Sequence, residues 1–440
     1  MPTKTEASSN TLSITHHKRA GQLRRFFSLL GPGLISGAAD DDPSGISTYS
    51  VAGAQFGYAV LWTAWFTLPL VAAVQLMCAR LAMVSGRGLG SLIAVRYPRW
   101  VLWPACALLV VANVINIGAD LAGMAATSAL VTGAKASYLA PLYAGLIFVL
   151  LARFSYRRTA TIFKWMTLVL FAYVLSAFLA RPDWKSVLHA TVFPHLEWSA
   201  DYWATLVAIL GTTISPYLFF WQASEEVEEE RAAGRASVKQ RRGATDTELR
   251  DSRADVNTGM LFSNLIMYFI VLTTAATINV HGGGRIETAQ QAAQALRPLA
   301  GEGAFLLFTL GIVGTGFLSV PVLAGSTAFA IGEAAGWHSS LSATPRTAPQ
   351  FYGVLGITML AGLGLAYSGF NVIAMLFWSA VLNGVLAPPL IVIVVLLSSQ
   401  ERIMGRRVSS RWLRSLGWLT AIIMTLAAAV MFANLLSGKS

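Results

Sequence analysis

The chain has 440 residues, of which 55% are hydrophobic and only 12% are charged. Soluble globular domains carry about a quarter of their residues as charged side chains, so this composition excludes an ordinary soluble protein. The formal net charge of +11 does not point to a nucleic-acid partner, because a membrane protein is basic when its lysines and arginines are concentrated on the cytoplasmic side.

Eleven apolar stretches recur along the chain, each long enough to cross a hydrocarbon layer of about 30 Å as a helix of roughly 20 residues. They are predicted at 28–56, 60–84, 101–131, 136–152, 160–180, 201–223, 257–281, 302–333, 350–368, 370–398 and 412–436. The polar, basic residues 1–27 are predicted to form a cytoplasmic N-terminal tail without a cleavable signal peptide. The sequence therefore predicts an all-α polytopic membrane protein, with about 11 transmembrane helices in the lipid bilayer.

Lysine and arginine are distributed unevenly between the two sides that these spans define. With the N-terminus inside, the inner segments hold 26 of the 32 basic residues and the outer segments hold 6. Because basic residues accumulate in cytoplasmic loops, this asymmetry predicts a cytoplasmic N-terminus and an external C-terminus. The predicted location is the plasma membrane. The sequence leaves the oligomeric state open, with a monomer as the simplest case.

Two spans are interrupted by polar and helix-breaking residues. The first span contains the run DDDPSG at 40–45, and the sixth contains GTTISPY at 211–217. The two broken spans are the first and the sixth, so each begins a unit of five spans. Because five is odd, the second unit would insert upside down relative to the first. This is the inverted-repeat plan of secondary transporters, in which broken helices meet at the membrane midplane around the substrate.

The predicted organisation follows from these two breaks. Residues 28–180 form the first repeat, residues 201–398 form the second, and residues 399–440 contribute an additional eleventh helix. The charged segment 224–256 is predicted to be a solvated cytoplasmic loop, although its initial acidic run, EEVEEE at 225–230, could instead gather cations at a pore vestibule. The segment 281–303 is predicted to carry a short surface helix.

The first break carries the clearest functional signal. A carboxylate in a membrane interior costs roughly 2.5 to 3.5 kcal/mol on insertion scales, so consecutive aspartates there need a functional reason. Asp42 precedes Pro43, which disfavours helical backbone at Asp42 and lets its side chain and nearby carbonyls face a cavity. We predict Asp42 to be a metal ligand, with Ala39 and Gly45 beside it in the same site.

The other polar residues of this break allow more than one interpretation. Asp40 and Asp41 point in other directions on a helix, so they are either further ligands or partners of a wetted vestibule or a helix end. Ser44 is a cavity candidate and is predicted to cap the second half-helix.

The sixth span offers oxygen ligands. Pro216 cannot donate a hydrogen bond, so the carbonyl of Thr212 is predicted to be free as a ligand. Ser215 is a second candidate ligand, and Tyr217 is a cavity candidate. Isolated threonine and serine in membrane helices usually bond to their own backbone, but the pairing with the first break favours function here.

Two further polar residues lie deep in predicted spans. Asp120 in the third span either relays protons or orders its polar neighbours. Asn383 in the tenth span either faces the cavity or is a packing residue. No histidine is placed at membrane depth, which matters because histidine is the side chain best suited to carry protons near neutral pH.

Several short motifs in the first three spans match a known family. They are GPG at 31–33, DP at 42–43, AGAQFGY at 52–58, Trp62 and ADLA at 119–122. Together they resemble the Nramp family of divalent-metal transporters, and the resemblance covers nearly the whole chain. It implies a LeuT-like fold with an inverted 5+5 repeat in which helices 1 and 6 are broken.

The chain departs from the family pattern at informative positions. The family's first-helix motif is Asp-Pro-Gly-Asn, and Gly45 stands at its asparagine position. Its sixth-helix motif is Met-Pro-His, and Ser215 and Tyr217 stand at the methionine and histidine positions. Gln222 corresponds to a second histidine, and Gly123 corresponds to a glutamate. These departures resemble the Nramp-related magnesium transporters, a branch that the resemblance implies moves Mg²⁺, and Mn²⁺ as well, without coupled protons.

The chemistry of the ligands leads to the same expectation. A methionine thioether favours late transition metals, whereas oxygen ligands suit Mg²⁺ and Mn²⁺. Mg²⁺ keeps several waters when it binds, so small residues at positions 45 and 215 would leave room for a hydrated ion. We therefore expect a secondary transporter that needs no cofactor and moves Mg²⁺, and also Mn²⁺, by alternating access without proton coupling.

Other functions stay open at this level. A proton-coupled Mn²⁺ or Fe²⁺ transporter of the Nramp type would use Asp120 as its relay. An organic-solute transporter on the same fold is disfavoured because three aspartates would repel a substrate carboxylate. A membrane sensor without flux is a further alternative. An enzyme is not indicated, because the sequence places no catalytic dyad, phosphate loop or histidine cluster at membrane depth.

Overall fold

The computed structural model describes residues 31–153, 167–282, 284 and 286–437, and in that part of the chain all regular structure is helical. The predicted tail, the first residues of the first span and residues 160–166 of the fifth span lie outside the described residues. Within the described part, nine helices are long and apolar enough to cross a membrane. The predicted all-α class is confirmed.

The helices are numbered in chain order. The first eight are α1 (Pro32–Asp40), α2 (Pro43–Phe56), α3 (Trp62–Ser85), α4 (Leu89–Arg96), α5 (Arg99–Thr132), α6 (Ala136–Arg153), α7 (Phe171–Leu179) and α8 (Trp184–Val192). The next eleven are α9 (Ala200–Thr213), α10 (Pro216–Ala232), α11 (Val238–Arg241), α12 (Asp246–Thr277), α13 (Ala289–Ala293), α14 (Arg297–Ala300), α15 (Ala304–Ala335), α16 (Pro349–Ala366), α17 (Val372–Ser398), α18 (Glu401–Met404) and α19 (Arg411–Ser437). Short 3₁₀ helices lie at Gly57–Val60, Thr167–Leu170, Asn279–His281, Gln294–Leu296, Gly301–Gly303 and Gly405–Arg407.

Each predicted span has a helical counterpart in the described residues. The first span consists of α1 and α2, and the sixth consists of α9 and α10, so both predicted breaks are present. The short surface helix predicted within 281–303 is present as α13 and α14. The boundaries of the two inverted repeats remain a prediction.

The solvated loop predicted at 224–256 is wrong for most of its length. Helix α10 continues to Ala232 and α12 begins at Asp246, so the connection between them is short. Four glutamates of the acidic run are buried: Glu225, Glu226, Glu228 and Glu230. They are buried because α10 packs against α3 and α15. In the segment between α15 and α16, the Ser340 hydroxyl donates to Glu228.

The outer faces of the long helices carry large apolar side chains. The exposed examples are Trp65, Leu142, Leu146, Ile357, Leu360, Ile422, Leu426 and Phe432. Exposed apolar surface on this scale is unfavourable in water and favourable against lipid tails. The surface therefore fits the lipid bilayer that the composition predicts.

Glycines set the position of α1 inside the bundle. An added Cβ at Gly37 would lie 2.2 Å from the Gly259 carbonyl oxygen, and one at Gly259 would lie 2.1 Å from the Gly33 carbonyl oxygen. Only residues without a side chain allow α1 and α12 to approach this closely. This contact holds the last residues of α1, and with them the first break, in the interior of the protein.

Candidate metal site

The two helix breaks have the same construction. In the first, Asp41 (φ −82, ψ 52) and the extended Asp42 (φ −70, ψ 170) separate α1 from α2. In the second, Ile214 (φ −120, ψ 57) and the extended Ser215 (φ −77, ψ 133) separate α9 from α10. A proline follows each pair and begins the next helix, because proline disfavours helical backbone at the residue before it. Asp42 and Ser215 therefore occupy corresponding positions in the two breaks.

Asp42 is enclosed at the start of α2, where only 1% of its surface is exposed. Its Oδ1 accepts a hydrogen bond of 2.6 Å from the Gly45 N–H, and its Oδ2 accepts one of 3.4 Å from the Asn116 side-chain amide. Asp42 is thus the cap of α2, and the prediction that Ser44 caps this half-helix is wrong. The Ser44 hydroxyl instead donates to the Leu376 carbonyl at 2.7 Å, because its side chain faces α17.

Oxygen atoms surround the space beside Gly45. A Cβ added at Gly45 would lie 2.9 Å from Thr212 Oγ1 and 3.3 Å from both the Asp40 carbonyl oxygen and Asp42 Oδ1. Thr212 Oγ1 has no hydrogen-bond partner among the described residues. Oxygens from both broken helices therefore converge on the position of the missing side chain, which we call the Gly45 pocket, consisting of Asp40, Asp42, Gly45 and Thr212.

The other residues of the second break make contacts within and between the breaks. The Ser215 hydroxyl donates to the carbonyls of Gly211 and Thr212, both at 2.8 Å. The Thr212 carbonyl is therefore not free, contrary to the prediction from Pro216. The Tyr217 hydroxyl donates to the Ala39 carbonyl at 3.1 Å and so joins the two breaks. A carbonyl oxygen has a second lone pair, so the ligand roles of Ala39 and Thr212 stay predictions.

Helix α5 contributes two polar side chains beside Asp42. Asp120 Oδ2 accepts a hydrogen bond of 2.9 Å from the Ser319 hydroxyl, while Asp120 Oδ1 has no partner in the described part of the chain. Asn116 lies one turn earlier and contacts Asp42 directly. Asn116 is not among the residues predicted from the sequence to act in the site. The spacing of Asn113, Asn116 and Asp120, at intervals of three and four residues, was the available signal, because it puts all three on one helix face.

Asp40 and Asp41 face a different helix from Asp42. The Ser263 hydroxyl of α12 donates to Asp40 Oδ2 at 2.7 Å and lies 3.3 Å from Asp41 Oδ1. Both carboxylates are fully buried. One oxygen of each, Asp40 Oδ1 and Asp41 Oδ2, has no partner among the described residues, so the choice between a ligand role and a vestibule or helix-end role stays a prediction.

No cationic side chain compensates these carboxylates within the described residues. The ion pairs found there involve other acids: Glu197, Glu228, Glu230, Glu248 and Asp246. Buried charges in proteins are normally paired or bound to a metal ion. The arrangement around Asp42 is therefore suited to a positively charged guest.

Gln222 lies away from the Gly45 pocket, in a polar network near the start of α1. Its Oε1 accepts a hydrogen bond of 2.7 Å from the Ser36 hydroxyl, and its Nε2 donates to Glu226 at 3.1 Å. The Ser252 hydroxyl also donates to Glu226 at 3.2 Å. The structure therefore places Gln222 in contacts between α1, α10 and α12 rather than among the oxygens of the pocket.

Gly123 and Asn383 are also not joined to the pocket by any contact that the structure describes. A Cβ added at Gly123 would meet the Leu376 side chain at 3.2 Å, so this position faces an apolar neighbour. Asn383 is buried on α17, and its Oδ1 has no partner among the described residues. A cavity role for either residue stays a prediction.

The two ends of the bundle differ in how they are closed. At the end where Gly31 lies, the Asp255 carboxylate accepts hydrogen bonds from the N–H groups of Gly31 (2.8 Å), Gly33 (2.7 Å) and Leu34 (3.1 Å). These bonds hold the start of α1 against α12. We call this the Gly31 end.

The opposite end, which we call the Asn371 end, contains a cavity of about 400 Å³ between α2, α9 and α17. Its polar lining includes Gln55, Asp201, Thr205, Glu287 and Asn371. A smaller cavity of about 230 Å³ lies at the other end of the bundle, where Arg87, Arg241 and Glu333 line it.

Comparison with known families identifies the relatives of this arrangement. The family model described as natural resistance-associated macrophage protein-like, or Nramp, matches residues 33–434. The divalent metal cation transporter MntH of Deinococcus radiodurans is 27% identical over 432 residues, which covers 94% of this chain and 92% of that protein.

Solved structures show the same fold. The manganese transporter of Eremococcus coleocola, in complex with an aromatic bis-isothiourea substituted compound, matches with a TM-score of 0.74 and 18% identity, covering 93% of this chain and 86% of that one. A nucleobase-cation-symport-1 family transporter in a closed conformation with bromovinylhydantoin bound matches with a TM-score of 0.58 and 13% identity, covering 92% and 91%. These likenesses confirm the predicted LeuT-like fold.

Proposed function

The chain belongs to the Nramp family, and from that premise we propose that it is a secondary transporter of divalent metal cations with Asp42 as the central ligand. The observation that carries the proposal is the enclosed Asp42 carboxylate, which stands beside converging oxygens of two broken helices. Relatives named divalent metal cation transporter and manganese transporter support a metal as the substrate. The metal is cargo, so transport requires no resident cofactor and no catalytic chemistry.

We propose that the cargo is a hard cation, Mg²⁺ and also Mn²⁺, carried with part of its water shell. The atoms closest to the Gly45 pocket are all oxygens. Several nearby polar atoms have no partner in the described residues: Tyr49 Oη, Asn116 Oδ1, Asp120 Oδ1 and Thr212 Oγ1. Mg²⁺ usually binds through one or two carboxylates and keeps several waters, and each water needs polar partners. One ligating carboxylate with unpartnered polar atoms in the same region fits such an ion.

The proposal includes transport without a coupled proton. No imidazole stands at positions 217 or 222, where the family pattern has histidines, and the family's glutamate position holds Gly123. The membrane potential alone can drive a divalent cation, because two charges crossing 100 mV gain about 4.6 kcal/mol. That free energy corresponds to a concentration ratio on the order of 2,000.

A proton-coupled Mn²⁺ transporter is the second candidate, and the names of the relatives agree better with it than with a magnesium carrier. One structural observation also favours it. Asp120 lies close enough to Asp42 for the two carboxylates to interact electrostatically, and one of its oxygens has no partner in the described chain. Asp120 is therefore the residue that would accept the proton in this alternative.

The distribution of basic residues indicates how the protein is oriented in the membrane. We propose that the Gly31 end is cytoplasmic, in a plasma-membrane protein with an external C-terminus. The 26 to 6 distribution of lysine and arginine supports this orientation. In it, the cavity at the Asn371 end faces outward and carries the acidic residues Asp201 and Glu287, which would attract cations.

Flux into proteoliposomes tests these proposals. The purified protein would be reconstituted at a fixed K⁺/valinomycin potential, with a metal-sensitive dye and a pH-sensitive dye in the lumen. We expect Mn²⁺ and Mg²⁺ to enter when the lumen is negative, with no change in luminal pH. Asp42→Asn is the control and should reduce both signals to the rate of empty vesicles.

The outcomes separate the candidates. Mn²⁺ entry that acidifies the lumen and is lost in Asp120→Asn would establish the proton-coupled alternative. High-affinity metal binding without any flux would indicate a sensor. Flux that persists in Asp42→Asn would show that Asp42 does not bind the transported metal.

A further inference from the structure

Asn116 is a buried amide side chain whose oxygen makes no hydrogen bond among the described residues. The residue lies on α5 and is fully buried. Its Nδ2 donates to Asp42 Oδ2 across 3.4 Å, and its Oδ1 has no hydrogen-bond partner within the described residues. A buried polar atom without a partner is unfavourable, and in native structures it often marks a place that a ligand, ion or water fills.

We propose that Asn116 is a direct ligand of the transported cation and supplies, from α5, the amide oxygen that Gly45 cannot supply from α2. The proposal rests on the function proposed above, because it assumes that a cation binds at Asp42. Amide oxygens are among the ligands that hard divalent cations accept. Among the described residues, Asn116 is the amide side chain that hydrogen-bonds to Asp42.

The geometry allows this role with one small movement. Rotation of the terminal amide by about 180° exchanges the nitrogen and oxygen positions without moving the rest of the side chain. Without a cation, the amide N–H faces the Asp42 carboxylate, as the structure shows. With a cation between the two groups, the favoured arrangement turns the oxygen toward the ion. The rotation gives up only a weak hydrogen bond, because a 3.4 Å contact is long for an N–H···O hydrogen bond.

Asn113 shows what a structural asparagine looks like on the same helix. It is also buried, one turn before Asn116. Its Nδ2 lies 3.0 Å from the Leu323 carbonyl, 2.9 Å from Ser326 Oγ and 2.8 Å from Thr327 Oγ1. These contacts join α5 to α15. Asn113 Oδ1, like Asn116 Oδ1, has no partner among the described residues, but the amide of Asn113 bonds to α15 whereas that of Asn116 bonds to Asp42. Asn113 is therefore a matched control for the effects of losing a buried amide.

A ligand and a positioning residue respond oppositely to an added charge. If Asn116 binds the cation, Asn116→Asp adds a negative ligand and should tighten Mn²⁺ binding. If Asn116 only orients Asp42 by donating a hydrogen bond, Asn116→Asp replaces that donor with a repelling carboxylate and should weaken binding. The sign of the change in Kd therefore distinguishes the two roles.

Calorimetric titration of Mn²⁺ into the full-length protein in detergent tests the proposal. We expect Asn116→Leu to weaken binding by about tenfold or more, which is the usual scale for loss of a metal ligand or its close partner. Asn116→Asp should bind at least as tightly as wild type, and Asn113→Leu should stay within about threefold of wild type. Each variant is first checked for a single monodisperse peak and a wild-type melting temperature.

Two results would overturn the inference. One is an Asn116→Leu protein whose Kd stays within about threefold of wild type while Asp42→Asn abolishes binding. The other is an Asn116→Asp protein that binds more weakly than wild type. Failure of the proposed function has a different signature, since Asp42→Asn would then bind Mn²⁺ as wild type does, whatever the Asn116 variants show.

Discussion

The Asp42 carboxylate accepts a 2.6 Å hydrogen bond from the Gly45 N–H, three residues later in the chain. This bond caps α2 and points the carboxylate at the Gly45 pocket. The N-terminus of a helix carries partial positive charge, which stabilises an enclosed carboxylate in the absence of an ion pair. One residue thus begins the second half-helix and, in the proposed function, binds the metal.

Asp42→Asn should separate these two tasks. Asparagine is as good an N-cap as aspartate, so α2 should begin where it does in the wild type. The variant loses the charge that attracts the metal. We expect a melting temperature in detergent close to that of wild type and Mn²⁺ uptake at the background rate of empty vesicles.

Asp42→Ala removes both tasks and provides the comparison. Loss of an N-cap costs about 1 kcal/mol, so this variant should be measurably less stable than Asp42→Asn while showing the same loss of uptake. Equal stability of the two variants would mean that the cap contributes nothing. Full uptake by either would mean that Asp42 does not bind the cargo.

Gly45→Ala should fill the pocket that the cargo needs. The added methyl would lie 2.9 Å from Thr212 Oγ1, and overpacking of a buried site typically costs about 1–3 kcal/mol. We expect slower uptake of both metals, with Mg²⁺ affected more because it holds its waters more tightly.

Gly145→Ala is the matched control for this variant. It lies on α6, and no described atom comes within 4 Å of an added Cβ. Its uptake should equal that of wild type. Equal uptake by Gly45→Ala and Gly145→Ala would contradict a role for the pocket in holding a hydrated ion.

Ser215→Met should change the preference among metals. A thioether is a soft ligand, so the variant should take up Cd²⁺ better relative to Mg²⁺ than the wild type does. Ser215→Leu has a similar volume without sulfur and should not gain this preference. The measurement is the ratio of initial uptake rates for the two metals in each variant. An unchanged ratio in Ser215→Met would place position 215 outside the metal's reach.

Asp255→Asn should loosen the Gly31 end. Asp255 accepts three backbone hydrogen bonds from the start of α1, and hydrogen bonds to charged groups contribute about 1.5–3 kcal/mol. We expect faster reaction of a Ser36→Cys reporter with a water-soluble maleimide. The reporter requires replacement of the native cysteines, Cys78 and Cys106, by alanine.

Asp246→Asn controls for the loss of a negative charge near the same end. Asp246 begins α12, is largely exposed and pairs with Arg407 at 2.6 Å, away from α1. Labelling of Ser36→Cys should not change in this background. Equal labelling in the Asp255→Asn and wild-type backgrounds would show that these hydrogen bonds do not hold the end closed.

The sequence predicted the parts of the fold that local chemistry determines. Proline disfavours helical backbone at the residue before it, so the breaks could be placed within 40–45 and 211–217. Long apolar stretches predicted the spans, because a hydrocarbon layer requires a minimum helix length. A carboxylate inside a span predicted Asp42 as a functional residue, since burying that charge without a purpose is unfavourable.

The remaining features depend on contacts between distant segments. The charged neighbours of Glu226 in the sequence predict a solvated side chain. In the structure it is buried and accepts hydrogen bonds from Gln222 of α10 and Ser252 of α12. The Thr212 carbonyl was predicted to be free, but a Ser215 hydroxyl occupies it. Asn116 comes to Asp42 from 74 positions away in the chain. No local pattern determines such pairs, because they follow from how the helices pack.

Competition between Mg²⁺ and Mn²⁺ tests the central claim most directly. Initial rates of Mn²⁺ uptake into proteoliposomes would be measured at fixed membrane potential with increasing external Mg²⁺, for wild type and Asp42→Asn. We predict that millimolar Mg²⁺ suppresses Mn²⁺ uptake by the wild type and that the variant shows no uptake to suppress. Mn²⁺ uptake that is unaffected by Mg²⁺ and requires an inward proton gradient would contradict the transport of a hydrated ion without proton coupling.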